Sequence, residues 1–538
     1  MSNMKRNKIT GIISLLMAGT IMLSGCGSAA GQETAGDSAS SDSGIVAAQD
    51  NEDEYEERVA LSIWAYGNSQ TTSQYSSPAD TVFWQNISEK FNVDFTFLDN
   101  SGGQEALSLL IGTDDLPDII IDYDGTFPGG MQKMLNDGSI IALNDLMDAG
   151  YMPNLQAYLA SDPAVDRVVK DDNGRYACAP MIRSADSPVV FSGNYVREDW
   201  LNDLGLEVPT TLDEMEKVLI AFRDEKGADC GYCMSNQREL TINAFGIKEG
   251  MYVDTTDNKI HYGVLEEEFL DALTTLNRWY EEGLIDPDAF TQDSNAVFAK
   301  IASGRTGLSW GWTAEAFNRV NTMKSETPEM EWKACPHPVA KEGDKFIVDL
   351  SSGYRVDSLG GCIAATCKYP ERAARVLDYL YGEEGHEIAN FGEEGITYEI
   401  VDGQHVYTDY VLNNPDGLTI EEALQIYAGN GNKPFVVDKE YQYGQHPLET
   451  QKYALSLWAT PDGTIKNLPP ESLSPEESSE YYSIMTDINT YKDEMVLKFI
   501  LGTEPLENFP EFIDNLKKMN IERAIEIKQT EYDRFLAR

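Results

Sequence analysis

Trp310 and Trp312 stand two residues apart in Leu308-Ser-Trp-Gly-Trp-Thr313. On a strand that spacing puts both indoles on one side. An aromatic face stacks on a flat C–H surface, and hydroxyls are met by charged or amide groups. Together these are the means of holding a sugar or another polyol. The same side-chain types recur near the ends of expected strands. Tyr66 and Asn68 follow Trp64, and Asp122, Tyr123 and Asp124 follow Ile121. Tyr354 and Arg355 follow Ser351-Ser-Gly353, Arg183 lies just past Pro180, and Trp458 sits near Pro461-Asp-Gly463. Of the tryptophan pair, Trp312 is the one expected to face a ligand. Trp200 and Trp279, in Glu198-Asp-Trp-Leu201 and Arg278-Trp-Tyr280, are expected to pack.

Catalytic and metal chemistry have weaker grounds. With 90 Asp and Glu in 538 residues, adjacent pairs such as Glu383-Glu384 carry no signal. A glycosidase needs two carboxylates converging on one bond, which spacing cannot show. There is no phosphate-cradling Gly loop, no His-Glu-x-x-His and no Gly-x-Ser-x-Gly, and the five His are scattered. Asp171-Asp-Asn-Gly174 has oxygen ligands in a tight turn but lacks the acid that closes an EF-hand loop, so a β-turn is expected. Cys230-Gly-Tyr-Cys233 has redox or metal-ligand spacing, yet no second such pair completes a zinc site. Structural disulfide or plain thiols is the reading for it. No cofactor and no metal is expected, and the chain reads as a non-enzyme.

The elements that would carry these residues follow from periodicity. Val59–Trp64 and Val93–Leu98 alternate as strands, and Phe83, Trp84, Ile87 and Phe91 share one helical face between them. Ala106–Gly112 reads as a helix and Leu116–Ile121 as a buried strand. That β-α-β-α-β order is the pattern of a mostly parallel sheet covered by helices, where ligands bind beyond the carboxyl ends of strands. Leu212, Met215, Leu219 and Phe222 form another helix face, as do Phe269, Leu273, Leu276 and Tyr280. Gly307–Trp310 and Ile363–Thr366 read as strands, and 475–538 as amphipathic helix.

The first residues carry Lys5, Arg6 and Lys8, then an apolar run Ile9–Leu23 too short to span a bilayer, then Leu23-Ser-Gly-Cys26. This is the layout of an export signal. The ending resembles the lipobox of bacterial lipoproteins, which implies cleavage before Cys26 and diacylglyceryl on its thiol. Gly27 to about Asp53 is small and polar, too poor in large apolar groups to repay ordering, and reads as a tether. The net charge of -49 argues against nucleic acid, which needs basic patches, and leaves membrane attachment to the lipid. Besides Cys26 there are Cys178, Cys230, Cys233, Cys335, Cys362 and Cys367.

Several segments in order resemble one family. Leu61-Ser-Ile-Trp-Ala-Tyr-Gly67, Leu116-Pro-Asp-Ile-Ile120 and Gly174-Arg-Tyr-Ala-Cys-Ala-Pro180 are similar to the first lobe and hinge entry of extracellular solute-binding proteins of ABC importers. Arg197-Glu-Asp-Trp-Leu-Asn-Asp-Leu-Gly-Leu-Glu-Val-Pro-Thr-Thr-Leu-Asp-Glu214, Trp279-Tyr-Glu-Glu-Gly-Leu-Ile-Asp-Pro287, Tyr369-Pro-Glu-Arg-Ala-Ala374, Gly392-Glu-Glu-Gly-Ile-Thr-Tyr398 and Ile527-Lys-Gln-Thr-Glu-Tyr-Asp-Arg-Phe535 resemble its family-1 subgroup of LplA-like lipoproteins. Cys178 and the Cys-x-x-Cys depart from that pattern.

The resemblance implies a type II periplasmic-binding-protein-like α/β fold of two lobes, each a mixed, mostly parallel sheet flanked by helices. The expected division is 1–25 signal peptide, 26–57 tether, 58–182 lobe 1, 183–340 lobe 2, 341–390 a return to lobe 1, and 391–538 a helical part mainly of lobe 2 and hinge. It further implies an oligosaccharide or similar polar solute held in the cleft and a permease that receives it. Tyr66 and Asn68 fall where relatives place a polar cleft residue, and Gly311-Trp312 resembles the loop where maltodextrin-type relatives present a stacking ring. A monomer anchored at the outer face of a Gram-positive type of cell membrane is expected. A surface carbohydrate hydrolase and a ligand-sensing receptor are the alternatives.

Overall fold

The computed structural model describes residues 55–65, 74–100, 103–113, 115–121, 130–188, 190–236, 238–324, 327–351, 354–429, 433–459 and 463–538. Its strands are, in chain order, β1 Val59–Ala65, β2 Val93–Phe97, β3 Ile119–Ile121, β4 Ala179–Arg183, β5 Ser192–Arg197, β6 Tyr232–Cys233, β7 Met251–Asp254, β8 Lys259–Tyr262, β9 Leu308–Trp312, β10 Trp332–Ala334, β11 Val356–Ile363, β12 Tyr398–Val401, β13 Gln404–Tyr407, β14 Val436–Val437 and β15 Ile465–Lys466.

The first lobe is built on a six-stranded sheet in the order β14-β4-β11-β3-β1-β2. β1 pairs in parallel with both β2 and β3, and β14 with β4, while β11 runs against β3 and β4. Alternation sends Ile63, Ile119 and Ile121 into one core, and Trp64 and Ile120 into a smaller one on the opposite face. The helix Val82–Phe91 buries Phe83, Trp84, Ile87 and Phe91 on the first of these. Its start is set by the Thr81 side chain, which accepts from the Trp84 N–H.

The second lobe is built on a four-stranded sheet, β10-β5-β9-β6. Only β6 and β9 pair in parallel; β5 runs against both β9 and β10. This sheet therefore departs from the mostly parallel arrangement expected of each lobe. Val196, Tyr232 and Leu308 face one core, and Tyr195, Cys233 and Ala334 face another. The helix Leu212–Lys226 opens with a capping box between Thr211 and Glu214 and buries Leu212, Met215, Val218, Leu219 and Phe222. Trp200 and Trp279 both lie in the first of these cores; the Trp279 Nε1–H donates to Glu216 Oε2 at 2.7 Å.

One expectation about element placement is corrected. β11 covers Val356–Ile363, not Ile363–Thr366, because Gly360 takes a φ of +53° and the register against β4 shifts on either side of Ser358. Part of the chain after 391, expected mainly in lobe 2 and hinge, packs with the first lobe. β14 joins the first sheet, and Leu424, Phe435 and Tyr441 lie in that core. The short parallel pairing of β14 with β4 claims them.

A three-stranded sheet, β15-β7-β8, and the helix Ile521–Ala537 connect the lobes. Val253 and Ile260 belong to the first-lobe core, Tyr252 and Tyr262 to that of the second. Along the helix, Ile521 and Ala524 pack with the second lobe, and Tyr532 and Phe535 with the first. Between them Lys528, buried, pairs with Glu531 at 2.9 Å and Glu471 at 2.8 Å. Among the described residues no helix is long and apolar enough to cross a membrane.

Candidate ligand-binding site

The chain passes from the first sheet to the second between Arg183, which ends β4, and Ser192, which starts β5. The Arg183 N–H donates to the Arg355 carbonyl at 2.8 Å and the Ser184 N–H to that of Val437 at 3.0 Å, so this crossing segment is tied to the first lobe at its entry. At its exit the Thr313 N–H donates to the Phe191 carbonyl at 2.6 Å, and Ser192 is the register partner of Trp312. The backbone thus places Arg183, Phe191 and Trp312 in one neighbourhood.

Their side chains complete it. The Arg183 guanidinium carbon lies 4.8 Å from the Phe191 ring centroid, a cation–π contact. On Phe191 stacks His446, at 6.0 Å and 24°. Burial keeps the His446 imidazole below its usual pKa, despite a hydrogen bond with the Gln442 carbonyl, so it is neutral at pH 7. Trp312 is 54% exposed, and Trp310, half-buried against the second-lobe core, meets its edge at 5.9 Å and 71°. The two indoles share one side of β9, as their spacing predicts. An open indole beside a buttressing one, with a guanidinium nearby, offers a stacking face and a hydrogen-bond donor. Phe191 and His446 escaped sequence reasoning. Phe191 reads as one more apolar residue after Val190, and His446 comes close only through the fold.

Two of the other candidates are corrected. Trp458 is fully buried. Its Nε1–H donates to the Cys335 carbonyl at 2.8 Å, and its ring rests on Gly193, where a Cβ would come within 2.4 Å of it. It fills the second-lobe core because the helix Glu449–Trp458 delivers it against β5, and it presents no open face. Tyr354 packs edge-on against Phe535 at 5.7 Å and donates its hydroxyl to the Asn467 carbonyl at 3.3 Å. It seats the inter-lobe helix. Tyr66, Asn68, Asp122, Tyr123, Asp124 and Cys26 lie outside the described residues. The strand ends before the first five are adjacent all the same, for Ala65 and Ile121 are register partners.

Asp171 forms a turn. Its Oδ1 accepts the N–H groups of Asn173 and Arg175, each at 2.8 Å, and its Oδ2 accepts from Arg175 Nε at 2.8 Å and Gln132 Nε2 at 3.0 Å. Burial pushes this carboxyl up, but those donors outweigh it and hold it below the usual range. Donors so placed occupy the oxygens a calcium ion would need. The six described cysteines are thiols, five of them buried. Burial and the nearby Asp286 push the Cys230 thiol up to about 12, and burial with a hydrogen bond to Asp286 Oδ2 at 3.1 Å raises Cys233 as well. Neither is the low-pKa thiolate that redox chemistry uses.

Comparison with known proteins supplies the family. The chain matches the profile of bacterial extracellular solute-binding proteins over residues 68–387. It is 23% identical over 489 residues to the fructooligosaccharide ABC transporter substrate-binding protein FusA of Streptococcus pneumoniae, covering 86% of this chain and 88% of that one. It is 21% identical over 484 residues to lipoprotein LipO of Bacillus subtilis, covering 82% and 87%. Among solved structures, alginate-binding protein AlgQ2 without calcium ion superposes with a TM-score of 0.73 at 22% identity, over 89% of this chain and 98% of that one. With the profile spanning more than half of its length and the two-lobed fold in place, the chain belongs to the family of bacterial extracellular solute-binding proteins.

Proposed function

We propose that this chain captures an oligosaccharide, or a similar polar solute, at the outer face of the cell membrane and delivers it to an ABC permease. It is a binding protein and not an enzyme. The observation that carries the ligand class is the open ring of Trp312, buttressed by Trp310 beside the segment that crosses between lobes. A sugar ring stacking there would take hydrogen bonds from Arg183 and from the polar residues that follow Ala65 and Ile121. Relatives named for fructooligosaccharide and alginate support a glycan ligand. Closure of the lobes around it is a hinge motion.

Lipid on Cys26 and a polar tether hold the chain near its permease, which raises the local concentration of loaded protein. A lipoprotein among the relatives supports this. The anchored chain acts as a monomer, on a Gram-positive type of surface. Cys26→Ala is expected to release the protein into the medium, read by fractionation.

The test of the ligand class is calorimetry of the purified chain against neutral fructooligosaccharides and acidic oligouronates, with chromatography of the mixtures. Saturable binding of at least one glycan without product is expected. Shortened sugars, or no binding across the panel, would overturn the proposal. Deleting the gene for this chain should abolish uptake of the bound glycan; uptake that persists would point to a sensing receptor.

A further inference from the structure

The hairpin of β7 and β8 turns through Asp254-Thr-Thr-Asp-Asn-Lys259. At this turn, ligand atoms of Asp254, Asp257 and His261 lie within 4.8 Å of one another. Each carboxylate is pinned through one oxygen. Asp254 Oδ1 accepts from the N–H and hydroxyl of Thr256, both at 2.7 Å, and Asp257 Oδ1 accepts the Lys259 N–H at 2.9 Å. Asp257 Oδ2 then stands 3.3 Å from His261 Nε2.

The imidazole is oriented from outside the turn. His261 Nδ1 lies 2.8 Å from Oε1 of Glu266, the residue that precedes the helix Glu267–Glu281. The ring also stacks on Tyr252 at 5.5 Å and 11°. A histidine whose Nδ1 is held by an outer carboxylate while its Nε2 faces a carboxylate of the turn itself has the arrangement of metal-bound imidazole, where the outer carboxylate sets tautomer and ring orientation.

We propose that Asp254, Asp257 and His261 bind a divalent transition ion of the zinc class, with Glu266 as the positioning residue. One imidazole nitrogen and two carboxylates suit zinc, which takes such ligands in a tetrahedral set that water completes. Calcium takes six to eight oxygens, and a turn with two carboxylates and a nitrogen is poor in them. The site is separate from Trp312. It lies on a hairpin that the inter-lobe helix holds, for Gln529 Oε1 accepts the Ile260 N–H at 2.8 Å. A bound ion would clamp the turn of an element shared by both cores.

The experiment is calorimetric titration of the full-length chain, stripped of metal by chelator, with zinc chloride and in parallel with calcium chloride. His261→Ala, Asp257→Asn and Glu266→Gln are compared. One zinc per chain is expected, weakened at least about tenfold by each substitution, with no comparable calcium binding. These side chains are exposed or partly exposed, and a melting curve like that of the unaltered protein checks the fold of each variant. Absence of stoichiometric zinc, zinc affinity unchanged in His261→Ala and Asp257→Asn, or calcium held in preference to zinc would overturn the assignment.

Discussion

Trp312 gives up more than half its surface to solvent, so the fold gains little from it and a ligand stands to gain more. Trp312→Ala is expected to weaken glycan binding by about 1–3 kcal/mol, the scale of a lost aromatic contact, with an unchanged melting temperature. Trp458→Ala should do the reverse and lower folding stability by about 3–5 kcal/mol through the cavity it leaves. Calorimetry and urea denaturation of both variants read the two effects. The contrast explains why one tryptophan was legible in the sequence and the other was not. Trp312 announces its side of the strand by alternation with Trp310. Trp458 precedes the sequence Pro461-Asp-Gly463, and nothing local tells that a glycine far back in the chain makes room for its ring.

His337 belongs to the same core. It is buried, stacked on Phe346 at 4.9 Å, with Nε2 3.2 Å from the Trp458 carbonyl. Burial pushes its pKa down from 6.5 to about 4. The unfolded chain therefore binds the extra proton first, and stability falls as pH drops from about 6.5 to about 4. Above that window the contribution is fully present; below it, roughly 3 kcal/mol is lost. Denaturation midpoints at pH 7 and pH 4.5 should differ less in His337→Gln than in the unaltered protein.

At the scale of elements, strands are held together where side chains are missing. Gly193 on β5 lets the Trp458 ring lie against the backbone, and Gly193→Ala is expected to destabilise by about 1–3 kcal/mol through overpacking. Gly360 on β11 combines a φ of +53° with a position where a Cβ would fall 1.7 Å from the Ala179 carbonyl oxygen. Gly360→Ala meets backbone that cannot turn aside, so it should cost more than Gly193→Ala in the same urea series. These glycines also mark the limits of reading strands from sequence. β1, β2 and β3 carry alternating or continuous apolar residues and were legible. β11 was displaced, since its kink at Gly360 mimics a turn, and β14 has only two residues, too few to show a period.

For the whole molecule, the two cores are joined by buried charge as well as by apolar contact. On the helix that serves both lobes, Lys528 pairs with Glu531 of that helix and with Glu471 from outside it. Lys528→Met would leave two carboxylates without their cation in a buried setting, and a loss of about 3–5 kcal/mol is expected, read by denaturation. Ligand acts at this scale too. A glycan at a hundredfold excess over its Kd should add about 2.7 kcal/mol of stability, seen as a rise in melting temperature that Trp312→Ala diminishes.

The first sheet draws on β1 near the start of the described residues, on β11, and on β14 at Val436–Val437, and its core includes Tyr532 and Phe535. A chain that threads through an export channel with its amino end leading must therefore wait. β1, β2 and β3 find one another early, but β3 and β4 emerge well before β11 and β14, and those pairings are of high sequence separation, which slows folding. The topology so keeps the first lobe from locking while the rest is still inside the cell. The last members of that core, Tyr532 and Phe535, come with the inter-lobe helix.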